Sequence, residues 1–323
     1  MANLTSFGRV LAAGTVLALA LTACGKERDD DAAAEDTHTI ATAYGDVEVP
    51  TDPERVVALS YDTPWQLQSL GVRPVATQDY SAYIDEFSES QQDFIDGIDS
   101  IGPYGEPDLE KIAAAQPDLI VGDVHEVDEA TFEKLAEIAP TAIVGGEERG
   151  DWKAIVGALA EAVGAEEELA RTTAEYDATL AEVKETYAEQ IEGNTWIHFS
   201  LGNSEGEFSV QYPSGTTGSL VVDELGMAYG PNVPADPGDG FGYGSYSVEQ
   251  IPTVFDGVTA ALTFENTDGS PNPLIDAIEK NSLFQATEVA GTDRVFHLSV
   301  GVTDFATATL WLRQVEERVL SQL

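Results

Sequence analysis

The chain has 323 residues, 43% of them hydrophobic, and sets 58 acidic against 15 basic side chains for a formal charge of −43. A body this acidic repels phosphate, which excludes nucleic acid as a partner, and its average composition is too polar for a membrane-embedded fold. One cysteine allows no disulfide within the chain, and solubility in a salty habitat accounts for the charge without giving it a mechanistic role.

At the start, Arg9 precedes an uncharged, mostly apolar run from Val10 to Leu21. The run is too short to span a bilayer and has the length of a signal-peptide core. It ends in Leu21-Thr22-Ala23-Cys24, which resembles a bacterial lipobox, whose cysteine is acylated once the preceding peptide is removed. Residues 1–23 are therefore expected to be a signal peptide and Cys24 a lipidated N-terminus. The stretch GKERDDDAAAEDT that follows has no large apolar side chain to pack. Residues 24–38 read as a flexible tether, holding the protein on the extracytoplasmic face of the cell membrane.

Residues 39–150 carry alternating strand and helix signals. Val56 to Leu59 is a short buried strand, Pro64 to Leu70 a helix with proline in its first turn and Gly71 as its stop, and Val72 to Ala76 a second strand. Asp108 opens a helix to Ala115, Leu119 to Val121 is the next strand, and helix Asp128 to Ile138 with strand Ala142 to Val144 completes an α/β lobe. Residues 151–192 are read as connecting helices. The longest, Glu166 to Ile191, has no proline or glycine, and Leu169, Thr173, Tyr176, Leu180, Val183, Tyr187 and Ile191 recur on one face. Its roughly 37 Å at 1.5 Å per residue exceeds what one small lobe needs, so it reads as a spine between two lobes.

Residues 193–323 repeat the plan. Trp196 to Leu201 is a strand, Ser219 to Leu225 a helix, and Val248-Glu249-Gln250-Ile251 corresponds to Leu109-Glu110-Lys111-Ile112, each followed by an aspartate (Asp256, Asp118) and a buried strand. Helix Leu274 to Ala286, strand Arg294 to Leu298 and a last helix from Asp304, carrying Leu310, Leu312, Val315, Val319 and Leu320, close the chain.

The segments VPTDPERVVALS with LGVRPV, PDLEKIAAAQPDLIV, IAPTAIV, SVEQI and NPLIDAIEKNSLF, in that order, resemble the ABC-transporter substrate-binding lipoproteins of the iron-siderophore, haem and cobalamin class. The resemblance covers nearly all of the chain after the tether. It implies a monomeric clamp of two Rossmann-like α/β lobes joined by a single long α-helix, with the ligand cleft between lobes at the carboxyl ends of the strands. It also implies two-point docking on permease arginines through Glu110 and Glu249.

A ferric siderophore arrives with its metal already saturated, so its receptor needs aromatic surface and a few donors, and no cofactor or metal ligand of its own. Tyr61, Tyr104, Arg149, Trp152, Tyr212 and, from the Gly-rich GDGFGYGSY, Phe241, Tyr243 and Tyr246 are the candidates. Arg149 is the one obvious basic residue among them, which favours a neutral or cationic ligand such as a ferric hydroxamate. The alternative is haem or cobalamin, with His125 and Tyr243 as iron ligands in the haem case. A remoter one is a serine hydrolase, since Gly202-Asn203-Ser204-Glu205-Gly206 fits the nucleophile pattern GxSxG with His297 downstream, although the following EFSVQYP alternates like a strand where a helix should start.

Overall fold

The computed structural model describes residues 36–323 except 83, 147–149, 205 and 236–241. The expected signal peptide, Cys24, Arg149 and Phe241 thus lie outside the described residues. Residues Glu35–Leu323 form one compact unit, built from a two-stranded hairpin, two larger sheets and the helices between them.

A hairpin of β1 (Thr37–Thr42) and β2 (Gly45–Pro50) leads in, its turn closed by Gly45 at φ 112°. It begins inside the expected tether, because Ile40 and Val49 are fully buried and pull the strands onto the body. The first sheet is wholly parallel, in the order β5-β4-β3-β6-β7, from β3 (Val56–Ala58), β4 (Ala76–Thr77), β5 (Asp99–Ser100), β6 (Leu119–Asp123) and β7 (Thr141–Val144). β3 and β7 are buried at every position, as strands covered on both faces must be. The expected strand Val72 to Ala76 shrinks to the pair Ala76–Thr77, with Val75 entering the sheet through its N–H to the Val56 carbonyl at 2.8 Å.

The second sheet runs in the order β11-β9-β8-β12-β13, with β10 beside the first half of β8. Its strands are β8 (Thr195–Leu201), β9 (Glu207–Gln211), β10 (Ala228–Tyr229), β11 (Tyr243–Ser247), β12 (Ala260–Phe264) and β13 (Val295–Leu298). β8, β10, β12 and β13 are parallel, whereas β9 folds back on β8 as a hairpin and β11 extends it.

Helix Trp152–Val163 and the long helix Glu166–Thr186 join the lobes. The long helix ends earlier than its periodicity suggests. Tyr187 leaves helical geometry at φ −117°, laying its ring against the core, and a separate turn Ala188–Glu192 buries Ile191. Tyr176, Val183, Thr172 and Thr179 form its buried stripe, while Glu168, Arg171 and Glu175 pair on the exposed side. It packs on the C-terminal helix Phe305–Arg318, whose first turn is capped by Asp304, with Oδ1 accepting from the N–H groups of Ala306 and Thr307 at 2.8 and 3.0 Å. Trp311, Leu312 and Val315 face inward there, and Leu310, one step off that row, is 56% exposed.

One continuous apolar core runs from Ile40 and Val56 through Trp152, Tyr176 and Val183 to Trp196, Leu262 and Leu320. Both lobes and both connecting helices share it. At its centre Trp152, Tyr176 and Phe305 meet edge to face at centroid distances of 5.0–6.2 Å, each contact adding about 0.5–1.5 kcal/mol beyond burial. The outer face of each sheet has its own smaller core. Opening the lobes widely would break this shared core.

Candidate ligand-binding cleft

In the first sheet the chain steps from β3 out to β4 and β5, then returns to the other side of β3 as β6. The reversal leaves a crevice beyond the carboxyl ends of β3 and β6, where open α/β sheets place their ligands. Tyr61 and Asp62 follow β3, Glu126 follows β6, and all three line a cleft of about 1560 Å³ between the lobes. The two loops are tied together. The Tyr61 N–H donates to Glu126 Oε2 at 2.9 Å, and the Asp123 N–H to Ser60 Oγ at 2.7 Å.

Tyr61 is also the hub of an aromatic wall, 5.8 Å from each of the rings of Tyr80, Phe87 and Tyr104. Trp65 backs it at 4.7 Å from Phe87 and 5.2 Å from Tyr80. The Tyr80 hydroxyl, donating to the Tyr61 carbonyl at 2.8 Å, is held protonated by burial. Tyr104 stands at the lip, 44% exposed.

The second lobe has the same reversal, from β8 to β10 on one side and β12 on the other. His198, Ser200 and Leu201 from β8 and Thr263, Phe264 and Glu265 from the end of β12 line the opposite wall. His198 is held by its neighbours: its N–H donates to the Tyr229 hydroxyl at 2.9 Å, and Nδ1 lies 2.8 Å from Thr217 Oγ1. Burial pushes its imidazole down to about 4, so the ring is neutral at ordinary pH. Trp311 reaches the cleft from the C-terminal helix. Gly150 passes so close to the second lobe that an added Cβ would stand 3.0 Å from the Ser214 carbonyl oxygen.

Of the sequence candidates, Tyr61, Tyr104 and Tyr243 line the cleft. Trp152 does not line this wall: it is 4% exposed and packs on Tyr176 and Phe305 in the shared core. Tyr212 and Tyr246 turn away as well. The Gly-rich stretch ends in strand β11, and successive side chains of a strand take opposite faces. Tyr243 thus meets the cleft while Tyr246 stacks on Phe208, its hydroxyl 3.3 Å from that of Tyr212.

The haem pair is not assembled. His125 is exposed and outside the cleft wall, and the imidazole beside the cleft is that of His198. Nor does Ser204 sit on an elbow, because it follows strand β8 and the next element is strand β9, paired back on β8, where an elbow would launch a helix. His297 is engaged elsewhere, its Nε2 2.7 Å from Glu279 Oε1, which raises its pKa. Glu110 and Glu249 are exposed in equivalent first turns, the one capped by Asp108 and the other by Ser247, and neither lines the cleft.

Sequence reasoning missed Asp62, Phe87, His198, Thr263 and Trp311. Thr263 had a usable signal, since it lies near the carboxyl end of a central strand that flanks a reversal, whereas His198 lies midway along β8. Phe87 and Trp311 had none, because only tertiary packing brings them to the cleft.

Residues 56–299, most of the chain, match the periplasmic binding protein family, and the chain belongs to it. Two relatives come from Bacillus subtilis (strain 168). YhfQ, provisionally named an ABC transporter substrate-binding lipoprotein, is 26% identical over 89% of this chain and 90% of its own. The iron(3+)-hydroxamate-binding protein FhuD is 26% identical over 73% and 74%. Among solved structures, the siderophore periplasmic binding protein from the fuscachelin gene cluster of Thermobifida fusca superposes with a TM-score of 0.72 at 24% identity, covering 85% of this chain and 99% of that one. The two-lobed α/β fold with one long connecting helix is thus the fold of this protein.

Proposed function

We propose that this protein is an extracytoplasmic receptor that captures a ferric siderophore of hydroxamate type and hands it to the permease of an ABC transporter. The observation that carries the reading is the cleft itself. At about 1560 Å³ it exceeds the roughly 300–1,000 Å³ of common small-molecule pockets and suits a bulky chelate. Its walls offer Tyr61, Tyr104 and Tyr243 for apolar contact and hydroxyls for hydrogen bonds. Hydroxamate chelates lack the excess negative charge of catecholate or citrate complexes. They suit a wall holding Asp62, Glu126 and Glu265 and, among its described residues, no Lys or Arg. The likeness to a hydroxamate-binding relative supports the same choice.

In this reading residues 1–23 direct export, Cys24 carries the lipid, and the residues from Cys24 up to strand β1 tether a body divided into lobes by the connecting helices 151–192, the first lobe ending near residue 150 and the second running over 193–323. Glu110 and Glu249, one per lobe, dock on the permease. Mass spectrometry of small molecules copurifying from iron-starved cells tests the cargo: a ferric hydroxamate is expected. A stoichiometric Soret shift on titration with haemin, with no siderophore bound, would overturn the reading.

A further inference from the structure

Tyr80 stands behind the aromatic wall. It is 3% exposed, packs on Trp65 and Phe87 as well as on Tyr61, and with Gln78 lines a separate cavity of about 510 Å³ instead of the cleft. Cargo in the cleft therefore meets Tyr61 and not Tyr80. The two are joined through the backbone. The Tyr61 carbonyl accepts from the Tyr80 hydroxyl at 2.8 Å, and the Tyr61 N–H donates to Glu126 Oε2 at 2.9 Å. Side chains from the loops after β4 and β6 thus grip both backbone polar groups of the residue that carries the central ring of the wall.

Gln78 completes the chain, its Nε2 donating to the Tyr80 hydroxyl at 2.9 Å. That hydroxyl gives its own proton to Tyr61, so towards Gln78 it can only accept. The amide must turn its nitrogen to it, which leaves Oε1 buried without a hydrogen-bond partner. An unpaired buried acceptor is destabilising, and leucine or methionine would fill the place without one. Packing therefore does not account for an amide here, whereas its one bond does: it fixes the hydroxyl rotor and aims the proton at the Tyr61 carbonyl.

We propose that Tyr80 and Gln78 are positioning residues of the ligand site, touching no cargo and holding the Tyr61 ring where the cargo meets it. The proposal rests on the siderophore reading above for what the ring meets. Tyr80→Phe keeps the ring and removes the donor, and Gln78→Met keeps the bulk and removes the amide. Calorimetric titration with ferric desferrioxamine B, a hydroxamate chelate, should show binding weakened about fivefold in the first and about twofold in the second. In the Tyr61→Ala background, Tyr80→Phe should change affinity less than about 1.5-fold, because no ring remains to be placed. A merely structural role would weaken binding by the same factor in both backgrounds. Hydrogen exchange without any ligand reads the clamp directly: amides of residues 60–62 should exchange about tenfold faster in Tyr80→Phe, while those of β12 keep the parent rate. Unchanged exchange at 60–62, or equal factors in the two backgrounds, overturns the positioning role and leaves the siderophore reading standing. Faster exchange there in a protein that does not bind the chelate upholds the clamp on Tyr61 and overturns the hydroxamate cargo.

Discussion

The two lobes repeat one plan on their outer rim and depart from it on the walls that face each other. Outside, each presents a short capped helix with an exposed glutamate in its first turn. Inside, the first lobe offers a packed aromatic wall centred on Tyr61, whereas the second offers hydroxyls and a neutral imidazole at His198. Aromatic surface and hydrogen-bonding groups are what a bulky chelate needs; the packed aromatic wall belongs to the first lobe, while the second sets hydroxyls and His198 beside the separate rings of Tyr243 and Phe264. On the function proposed above, the features repeated in both lobes serve the permease and those present in one serve the cargo.

The shared core is where the comparison can be broken most violently. Phe305→Ala removes the ring that joins Trp152 and Tyr176 beneath both lobes, and it should cost about 3–5 kcal/mol by calorimetry or denaturant titration. Both lobes should still melt in one transition. Two separated transitions in the unsubstituted protein would show that the lobes are independent and the core is not shared. Next comes the aromatic wall. Tyr61→Ala should weaken siderophore binding about tenfold to a hundredfold, as loss of a central aromatic anchor does. Tyr246→Ala, on the opposite face of its strand, should change it little, and the reverse order would exchange their roles.

Much of this was legible in the residues. Val56 to Leu59 and Leu119 to Val121 read as buried strands because unbroken apolar runs bounded by turn residues leave little alternative, and Trp196 to Leu201 because Ile197, Phe199 and Leu201 alternate with His198 and Ser200. The internal repeat exposed Glu110 and Glu249 as counterparts. The hairpin Thr37–Pro50 was obscured by its charged, half-exposed face, and helix Glu89–Ile95 by having no buried residue to mark a stripe. The cleft was half legible. Tyr61 follows a strand and could be placed, but Trp152, a candidate for the ligand, packs inward on Tyr176 and Phe305. A strand of glycine and tyrosine hid which of Tyr243 and Tyr246 faces the ligand.

A smaller effect sharpens the contrast between walls. Burial lowers His198 to about 4 against an ordinary 6.5, so between those values the unfolded chain binds a proton that the folded lobe resists. The contribution is whole above pH 6.5 and is lost as the pH falls to about 4. It should amount to about 2 kcal/mol once its partial opening to the cleft is allowed for. Glu279 acts on His297 in the opposite sense: its stabilisation is present below pH 6.5 and lost as the pH rises through the raised value. Comparing melting at pH 7 and 4.5 in the protein and in His198→Gln isolates the buried imidazole. A variant that loses as much stability on acidification as the parent would assign the acid sensitivity elsewhere.

The smallest effect on the purified protein is expected where the effect in the cell is largest. Glu110 and Glu249 sit in the first turns of their helices, where a carboxylate gains less than about 1 kcal/mol from the helix dipole. Neither lines the cleft. Reversing both to lysine should therefore lower stability slightly and leave siderophore affinity within about twofold, since exposed charges at this distance are screened. Docked on permease arginines, the same carboxylates would be partly desolvated, and losing one partner there costs about 2–5 kcal/mol because the other charge is stranded. Siderophore uptake should accordingly stop in cells whose purified receptor still binds its ligand. If affinity falls as steeply as uptake, the rim glutamates serve the cargo after all, and the division between repeated rim and divergent wall fails.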